Sequence, residues 1–279
     1  MNRLKSIFIS AYISALSGAL IWAALHLLET PTSLGHWGVM LANGAPMAFF
    51  ARLFLAPMAR TSADLRWIPA LGLAGTTLSL VADGWGATAA VSALNGLALA
   101  WAYIRWYSRF NGRDTSVLAT GRHMPDVTLH GMDGQPLRTE ALTRTTALWV
   151  FYRGNWCPLC MAQIHEVADQ YRQLRERGVA VYLISPQPEG HSRALADRFE
   201  APMRFLRDVD NQTATRLGIL SKDGLPMGLQ ALGYDSDVPM PTVLITAAGG
   251  RIVYSDLTDN YRMRPEPAEF LEALNRAGL

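Results

Sequence analysis

Residues 151–160 read FYRGNWCPLC, and this stretch holds both cysteines of a chain of 279 residues. Cys157 and Cys160 stand three positions apart, directly after the apolar run TTALWVFYR, which is typical of a buried strand. The residues that follow have apolar positions at helical spacing and end on a glycine, which predicts a helix over residues 157–178. The sequence therefore places both cysteines where a strand gives way to the first turn of a helix.

This position favours thiolate chemistry. Free N–H groups and the helix dipole stabilise an anion at a helix N-terminus, so the pKa of a cysteine there falls below its ordinary ~8.5. The spacing brings both sulfurs to one side of the turn, close enough for a disulfide. The alternatives are half of a metal site or two inert thiols. A structural zinc site needs four ligands, and the sequence has no second CxxC and no HxxxH pair. A redox-active dithiol is therefore favoured.

Charge divides the chain into two parts. Residues 1–110 carry 7 Lys or Arg and 3 Asp or Glu, whereas residues 111–279 carry 18 and 20. The first part is nearly free of charge, and the second has the composition of a soluble domain. Neither part has a run of Lys and Arg that would indicate nucleic-acid binding. Two cysteines are also too few for a disulfide-stapled secreted scaffold.

The first part predicts about four transmembrane helices. Residues 7–28 are 22 residues without a charged side chain, long enough to span the ~30 Å hydrocarbon core and longer than the apolar core of a signal peptide. The further candidates are residues 36–51, 67–82 and 86–107. Three spans remain the alternative if the second or third segment is only interfacial. The segment has no cysteine, so it is predicted to be an anchor that does not pass electrons by thiol exchange.

The loop charges predict the orientation of these helices. Lys and Arg number 2, 0, 3, 0 and 3 in the successive segments that flank the four candidate spans, with Arg105 at the end of the fourth span counted in the last segment. Cytoplasmic loops carry the excess of Lys and Arg, so both ends of the membrane region are expected in the cytoplasm. We therefore expect an integral protein of the inner (cytoplasmic) membrane with its soluble domain on the cytoplasmic side.

The second part predicts an α/β fold with a mixed sheet. Residues 111–120 are polar and irregular, which indicates a linker before a domain over residues 121–279. A hairpin with an Asp–Gly turn comes first, strands and helices then alternate, and a hairpin and a helix end the chain. The predicted strands lie in VTLHGMDGQPL, TTALWVFYR, VAVYLISP, PMRFLRD and PTVLITAAGGRIVYSD, and the last helix in PEPAEFLEALNRAG.

Several of these motifs carry a resemblance to a known family. FYRGNWCPLC, VAVYLISPQPEGHSRALADRF, FLRDVDNQTATRLGI, MPTVLITAAGGRIVYSD and DNYRMRPEPAEFLEAL occur in the order expected of the peroxiredoxin-like branch of the thioredoxin superfamily. This is the redoxin or alkyl-hydroperoxide-reductase/thiol-specific-antioxidant (AhpC/TSA) group, and the resemblance covers roughly Gly121 to the C-terminus. It implies a thioredoxin-like fold and a thiol-dependent oxidoreductase or antioxidant peroxidase. The membrane part resembles no family that we can name.

The resemblance implies two different assignments for the cysteines. The peroxiredoxin pattern PxxxTxxC makes Cys160 the residue that attacks peroxide, but its proline falls at Arg153 and its threonine at Cys157. In thioredoxins the first cysteine of CxxC attacks, which is Cys157 here. The buried acid of thioredoxins falls at Phe151, so that aid is missing. The sequence therefore resembles a peroxiredoxin frame that carries a thioredoxin-like dithiol.

Supporting residues follow from the same motifs. Trp156 and Pro158 are expected to shape the rim of the site and hold the turn, and Arg153 to stabilise a thiolate or a bound anion, unless it is a surface arginine. Pro241 and Thr242 resemble the cis-proline segment that faces the CxxC in this superfamily. His165, Glu166 and the segment YRMR (residues 261–264) are not assigned to the site.

The leading hypothesis is a membrane-tethered thiol–disulfide oxidoreductase or thiol peroxidase that cycles through a Cys157–Cys160 disulfide and needs no cofactor or metal. Its expected partners are the lipid bilayer, a peroxide or protein disulfide as substrate, and a thioredoxin- or glutathione-type thiol as reductant. One alternative is a non-enzymatic redox sensor or assembly partner. Another is a periplasmic thiol oxidase or cytochrome-maturation helper, which requires the inverted topology.

Overall fold

The computed structural model describes residues 2–199 and 202–279, and the chain divides into two compact units. The first unit consists mainly of residues 3–57 and 61–109, and the second of residues 58–60 and 110–279. The helices of the first unit are α1 (Asn2–Glu29), α2 (Leu34–Leu55), α3 (Trp67–Asp83) and α4 (Ala87–Tyr107). The strands of the described chain all belong to the second unit.

Three of these helices, α1, α2 and α4, are long and apolar enough to cross a membrane by length and composition. The third helix, α3, has 17 residues. A helix of that length spans about 25 Å, slightly less than the ~30 Å hydrocarbon core. Whether the membrane region has four spans or three therefore stays a prediction.

Small and amide side chains lie where the helices of the first unit meet. A side chain added at Gly72 would overlap the backbone of Gly96, so α3 and α4 approach closely at this point. The amide of Asn95 donates a hydrogen bond to Oδ1 of Asn43 at 2.8 Å, and both residues are buried. Small residues and hydrogen bonds between helices are the contacts that hold helices together in lipid.

The second unit is built on a mixed sheet of seven strands in the order β2-β1-β5-β4-β3-β8-β9. Strands β3, β4 and β5 run parallel, and β1, β8 and β9 join the sheet through antiparallel pairs. A separate two-stranded pair joins β6 to β7. The strands are β1 (Thr128–His130), β2 (Pro136–Arg138), β3 (Ala147–Phe151), β4 (Ala180–Ser185), β5 (Arg204–Arg207), β6 (Leu220–Ser221), β7 (Val238–Pro239), β8 (Thr242–Thr246) and β9 (Ile252–Asp256).

Six α-helices belong to the described residues of the second unit. They are α5 (Thr139–Leu142), α6 (Pro158–Asp169), α7 (Tyr171–Glu176), α8 (Glu189–Ala196), α9 (Gln212–Arg216) and α10 (Pro267–Ala277). The α/β fold with a mixed sheet and flanking helices is therefore confirmed. The helix expected over residues 157–178 is interrupted at Gln170, whose φ and ψ of −92° and −1° lie near the bridge region.

The segment expected to be a linker packs within the second unit. Leu118 is fully buried in the core beside the sheet, and the side chain of Arg113 is 1% exposed. The backbone N–H of Asp114 donates to the carbonyl of Gly218 at 3.3 Å. Polarity alone suggested a linker, but the apolar side chain of Leu118 and the buried guanidinium of Arg113 tie this segment to the domain.

The core of the second unit is centred on β3 and β8. All five residues of each strand are buried, as expected of strands covered on both faces. Trp149 of β3 donates its indole N–H to the hydroxyl of Thr246 in β8 at 3.0 Å, and both side chains are fully buried. This hydrogen bond satisfies a polar group in the centre of an apolar layer.

Replacing Thr246 with valine should therefore destabilise the domain. Thr246→Val keeps the shape of the side chain but leaves the indole N–H of Trp149 buried without an acceptor, a loss of about 1–3 kcal/mol in the free energy of unfolding. Chemical denaturation of the full chain in detergent would measure it. Thr120→Val, at an exposed threonine, is the matched control. Equal midpoints for the two variants would contradict this account.

Candidate functional site

The two cysteines lie at the junction of β3 and α6. Cys157 is the N-cap of α6, Pro158 follows at the first helical position, and Cys160 is the third residue of the helix. Proline suits the first helical position because its missing N–H is not needed there. Both thiols are free and buried, with 2% of Cys157 and 0% of Cys160 exposed. The structure therefore places the dithiol in the helix turn that the sequence predicts.

Two arginines and the neighbouring thiol determine the charge of Cys160. Burial alone would raise its pKa, but the hydrogen bond from Cys157 and the positive charge of Arg264 lower it. The backbone N–H and the charge of Arg153 act in the same direction. Together these contributions outweigh burial and bring the pKa of Cys160 well below its ordinary value. Cys160 is therefore the thiol of the pair that is present as a thiolate at neutral pH.

The pKa of the other thiol, Cys157, is shifted in the opposite direction. Its hydrogen bond to Cys160, its burial and the charge on Cys160 all raise the pKa of Cys157 above the ordinary value. The charges of Arg264 and Arg153 reduce this shift without reversing it. The site thus combines a thiolate at Cys160 with a neutral thiol at Cys157, which donates a hydrogen bond to it.

Arg264 is the site residue that the sequence analysis did not assign. Its Nη2 lies 3.5 Å from Sγ of Cys160, and the residue is 7% exposed. Nη1 donates to Oε1 of Gln163 at 2.9 Å, and Nε donates to the carbonyl of Tyr261 at 2.9 Å. These bonds fix the guanidinium beside the sulfur. Arg264 is the last residue of the segment YRMR, which the sequence analysis noted, but only the tertiary fold brings its side chain to the cysteines.

Arg153 follows the end of β3 and is 6% exposed, so it is not a surface arginine. Its Nη2 donates to the carbonyl of Gly224. The guanidinium carbon lies 4.9 Å from the ring centre of Trp156 and 5.8 Å from that of Tyr261, within the range of cation–π contact. Trp156 thus packs on the arginine that acts on the thiolate, in the turn just before the helix.

Hydrogen bonds tie the cysteine turn to the end of β4. The backbone N–H of Asn155 donates to Oε1 of Gln187 at 2.8 Å. Nε2 of Gln187 donates to the phenol oxygen of Tyr152 at 3.1 Å and to the hydroxyl of Ser192 at 3.0 Å. Burial raises the pKa of Tyr152, so its phenol stays neutral. Gln187, which the sequence analysis did not single out, therefore holds the turn in place.

Thr242 begins β8, the strand that pairs with β3, and Pro241 directly precedes it. Thr242 is the register partner of Phe151, and its hydroxyl accepts from Nη1 of Arg113 at 2.9 Å and donates to the carbonyl of Met240 at 2.9 Å. Nη2 of Arg113 donates to the carbonyl of Pro241 at 3.1 Å. The prediction of a cis bond before Pro241 is wrong, because residues 2–199 and 202–279 contain no cis peptide. The trans form is the lower-energy one for X–Pro, and the N–H of Met240 reaches Ile219 in it.

The described residues include no group of three or more His, Cys, Asp or Glu side chains that could hold a metal ion. What the arrangement offers is a buried thiolate with a neutral thiol three residues away. A thiolate attacks peroxides and disulfides, and a second thiol nearby can attack the sulfur that has been oxidised.

Removing the guanidinium of residue 264 should raise the pKa of Cys160. An opposite charge this close lowers a pKa by about 1–3 units, so Arg264→Gln should move the midpoint of Cys160 alkylation upward by about one pH unit or more. Iodoacetamide labelling of the full chain against pH, followed by mass spectrometry, measures the midpoint. Arg276→Gln, at an exposed arginine, is the control and should leave it unchanged. The same midpoint in the Arg264 variant would contradict the assignment.

Comparisons with known proteins find sequences similar to the second part of the chain. The model of the AhpC/TSA family matches residues 120–255, just under half of the chain. Chloroplastic peroxiredoxin Q of Arabidopsis thaliana is 25% identical over 99 residues, which make up 36% of this chain and 46% of the relative. The matched stretch thus spans about half the length of that relative.

Solved structures similar to this chain include Enterococcus faecalis AhpC and the peroxidoxin BcpB of Mycobacterium tuberculosis. Each is 18% identical, with a TM-score of 0.46 and 57% of this chain covered. The coverage of the two solved chains is 92% and 97%, respectively. The region of the family match contains both cysteines, Arg153, and strands β3, β4, β5 and β8 of the sheet. Residues 120–255, which make up most of the second unit, are therefore similar in sequence to the AhpC/TSA family.

Proposed function

We propose that this chain is a membrane-tethered thiol peroxidase in which Cys160 attacks the peroxide and Cys157 resolves the product. The observation that carries the proposal is the opposite pKa shift of the two thiols, with Cys160 lowered and Cys157 raised. The thiolate is the reactive form of cysteine, so the charge distribution favours Cys160 as the nucleophile. The family match of residues 120–255 supports the same class of chemistry.

The reaction has three steps. The Cys160 thiolate attacks the terminal oxygen of a hydroperoxide; the S–O bond forms, the O–O bond breaks, and the departing alkoxide takes up a proton as the alcohol. Cys157 then loses its proton and attacks the sulfur of the Cys160 sulfenic acid, so that the S–S bond forms and water leaves. Two thiols of an external reductant finally reduce the Cys157–Cys160 disulfide and become a disulfide themselves.

Two residues of the expected peroxide pocket differ from the family pattern. Arg153 and Cys157 stand at the positions where the family pattern has proline and threonine, so the usual pocket residues are missing. The guanidinium groups of Arg264 and Arg153 supply positive charge beside the sulfur instead. Preorganised donors of this kind stabilise charge that develops on the departing oxygen.

Two alternatives rest on separate observations. Disulfide exchange led by Cys157, as in thioredoxins, is disfavoured by the raised pKa of that thiol. A redox sensor that is oxidised once is supported by the burial of both sulfurs in the reduced form. Turnover separates the sensor from the enzyme, because only the enzyme consumes many equivalents of peroxide when a reductant is supplied.

The membrane region completes the proposal. Three apolar helices could span a membrane, and the excess of Lys and Arg in alternate loops favours the inner (cytoplasmic) membrane with the redox domain in the cytoplasm. The partners of this proposal are the lipid bilayer, a peroxide or protein disulfide, and a thioredoxin- or glutathione-type reductant. The inverted orientation would instead favour a periplasmic thiol oxidase or cytochrome-maturation helper.

Stopped-flow oxidation of the reduced full chain by hydrogen peroxide tests the nucleophile. Wild type and Cys157→Ser should be oxidised at rates within about tenfold of each other, because both retain the Cys160 thiolate. Cys160→Ser should be slower by about tenfold or more, because burial still raises the pKa of the remaining thiol and the sulfur that contacts Arg264 is gone. Sustained peroxide consumption with excess dithiothreitol is expected of the chains that retain Cys160, because this small dithiol can also reduce the Cys160 sulfenic acid directly. Equal rates in both single variants would contradict the proposal.

Reporter fusions at the C-terminus test the orientation. Green fluorescent protein should fluoresce and alkaline phosphatase should stay inactive, because the charge pattern places this end in the cytoplasm. The reverse pattern would move the redox domain to the outer side and favour the thiol-oxidase alternative.

A further inference from the structure

The site contains more buried positive charge than its thiolate balances. Arg153 and Arg264 are 6% and 7% exposed, and neither forms a salt bridge with a carboxylate in residues 2–199 and 202–279. Their side-chain contacts are carbonyl and amide oxygens, aromatic rings and the sulfur of Cys160. Two guanidinium groups thus face one thiolate, and burying an uncompensated charge is costly.

Three N–H donors around the dithiol also have no acceptor. They are Nε of Arg153, Nε1 of Trp156 and Nε2 of Gln163, each buried without a hydrogen-bond partner in the described structure. Gln163 is 2% exposed and lies one helical turn after Cys160, on the same face of α6. Buried donors are nearly always satisfied, so three of them around one thiol indicate a missing acceptor.

The nearest carboxylate along the helix does not fill this role. Glu166 forms its salt bridge with Arg60, which clusters with the second unit, and the Glu166 side chain is 32% exposed. Tyr152 is neutral, and Cys157 is a neutral thiol that already donates to Cys160. Within residues 2–199 and 202–279, no carboxylate is therefore bound to these three donors.

We propose that the Cys160 site binds the carboxylate of a small substrate beside the thiolate, with Arg153 as its main contact and Gln163 as a second donor. The guanidinium of Arg153 has the planar donors that suit a carboxylate, and its free Nε is one of them. This proposal rests on the proposed function, because it names the class of substrate that the dithiol takes. The carboxylate belongs either to the hydroperoxide that oxidises Cys160 or to the thiol that reduces the disulfide.

Two alkylating reagents of nearly equal size test carboxylate binding without any need for peroxidase activity. Iodoacetate carries a carboxylate where iodoacetamide carries an amide, and each replaces iodide with a bond to the Cys160 sulfur. With the reduced full chain in detergent, the rate ratio of iodoacetate to iodoacetamide at Cys160 should exceed that of a small free thiol by about tenfold, the effect of one additional charged hydrogen bond. An equal ratio would overturn the proposal.

Variants test whether Arg153 is the residue that binds the carboxylate. Arg153→Gln should reduce the ratio to that of the free thiol, whereas Arg153→Lys should keep most of it, which a purely structural role would not explain. Arg144→Gln, at an exposed arginine, is the matched control and should retain the full ratio. A full ratio in Arg153→Gln, with unchanged thermal unfolding, would overturn the assignment to this residue.

Two further rates distinguish the source of the carboxylate. A short hydroperoxy acid that oxidises the chain faster than its methyl ester would assign the carboxylate to the oxidant. A faster reduction of the disulfide by 3-mercaptopropionate than by 2-mercaptoethanol, relative to a model disulfide, would assign it to the reductant. If the carboxylate increased neither the rate of oxidation nor the rate of reduction, the assignment of the carboxylate to a substrate would be overturned. The stopped-flow test of Cys160 would not be affected by that result.

Discussion

A negative charge buried at Cys160 is the constraint on which the rest of the site depends. The sulfur is 0% exposed, and burial alone would keep the thiol protonated. The charge becomes stable because the fold surrounds it with Arg264, Arg153 and the thiol of Cys157. The arginines come from positions more than a hundred residues apart, so the thiolate exists only in the folded domain. Chemistry and tertiary structure are therefore coupled at this sulfur.

Local patterns predicted the scaffold of the site well. The apolar run that becomes β3, the Asp–Gly turn between β1 and β2, and the glycine that ends the cysteine helix region are all short-range signals. The mixed sheet followed from the order of strands and helices and from the fully buried pattern of β3 and β8. The turn at Cys157 and Cys160 could be located because strand, proline and helix adjoin in the sequence.

The features that the sequence did not predict depend on long-range contacts. Arg264 reaches Cys160 across 104 positions, and no periodicity links the two. The polar segment before residue 120 suggested a linker, but the burial of Arg113 and Leu118 depends on where the strands close around them. The trans bond before Pro241 also depends on long-range contacts. The carbonyl of Pro241 accepts a hydrogen bond from Arg113, and the N–H of Met240 donates one to the carbonyl of Ile219.

The directions of the two pKa shifts favour a different order of the thiols from that of a thioredoxin-type mechanism. A CxxC pair usually concentrates thiolate character on the first cysteine, whereas the charges here place it on the second, Cys160. In this arrangement the first cysteine is already hydrogen-bonded to the nucleophile, and it is able to resolve the oxidised product within the same helical turn. In the proposed mechanism, the domain combines the nucleophile position of the peroxiredoxin pattern, Cys160, with a resolving thiol three residues earlier.

Trapping the first oxidation product tests the central claim most directly. The reduced full chain of Cys157→Ser would be treated with one equivalent of hydrogen peroxide in the presence of dimedone, which reacts with sulfenic acids, and the labelled peptide identified by mass spectrometry. The account predicts a dimedone adduct on Cys160, and a Cys157–Cys160 disulfide without adduct in the wild type. An adduct on Cys157 in the Cys160→Ser chain, with none on Cys160 in the Cys157→Ser chain, would contradict it.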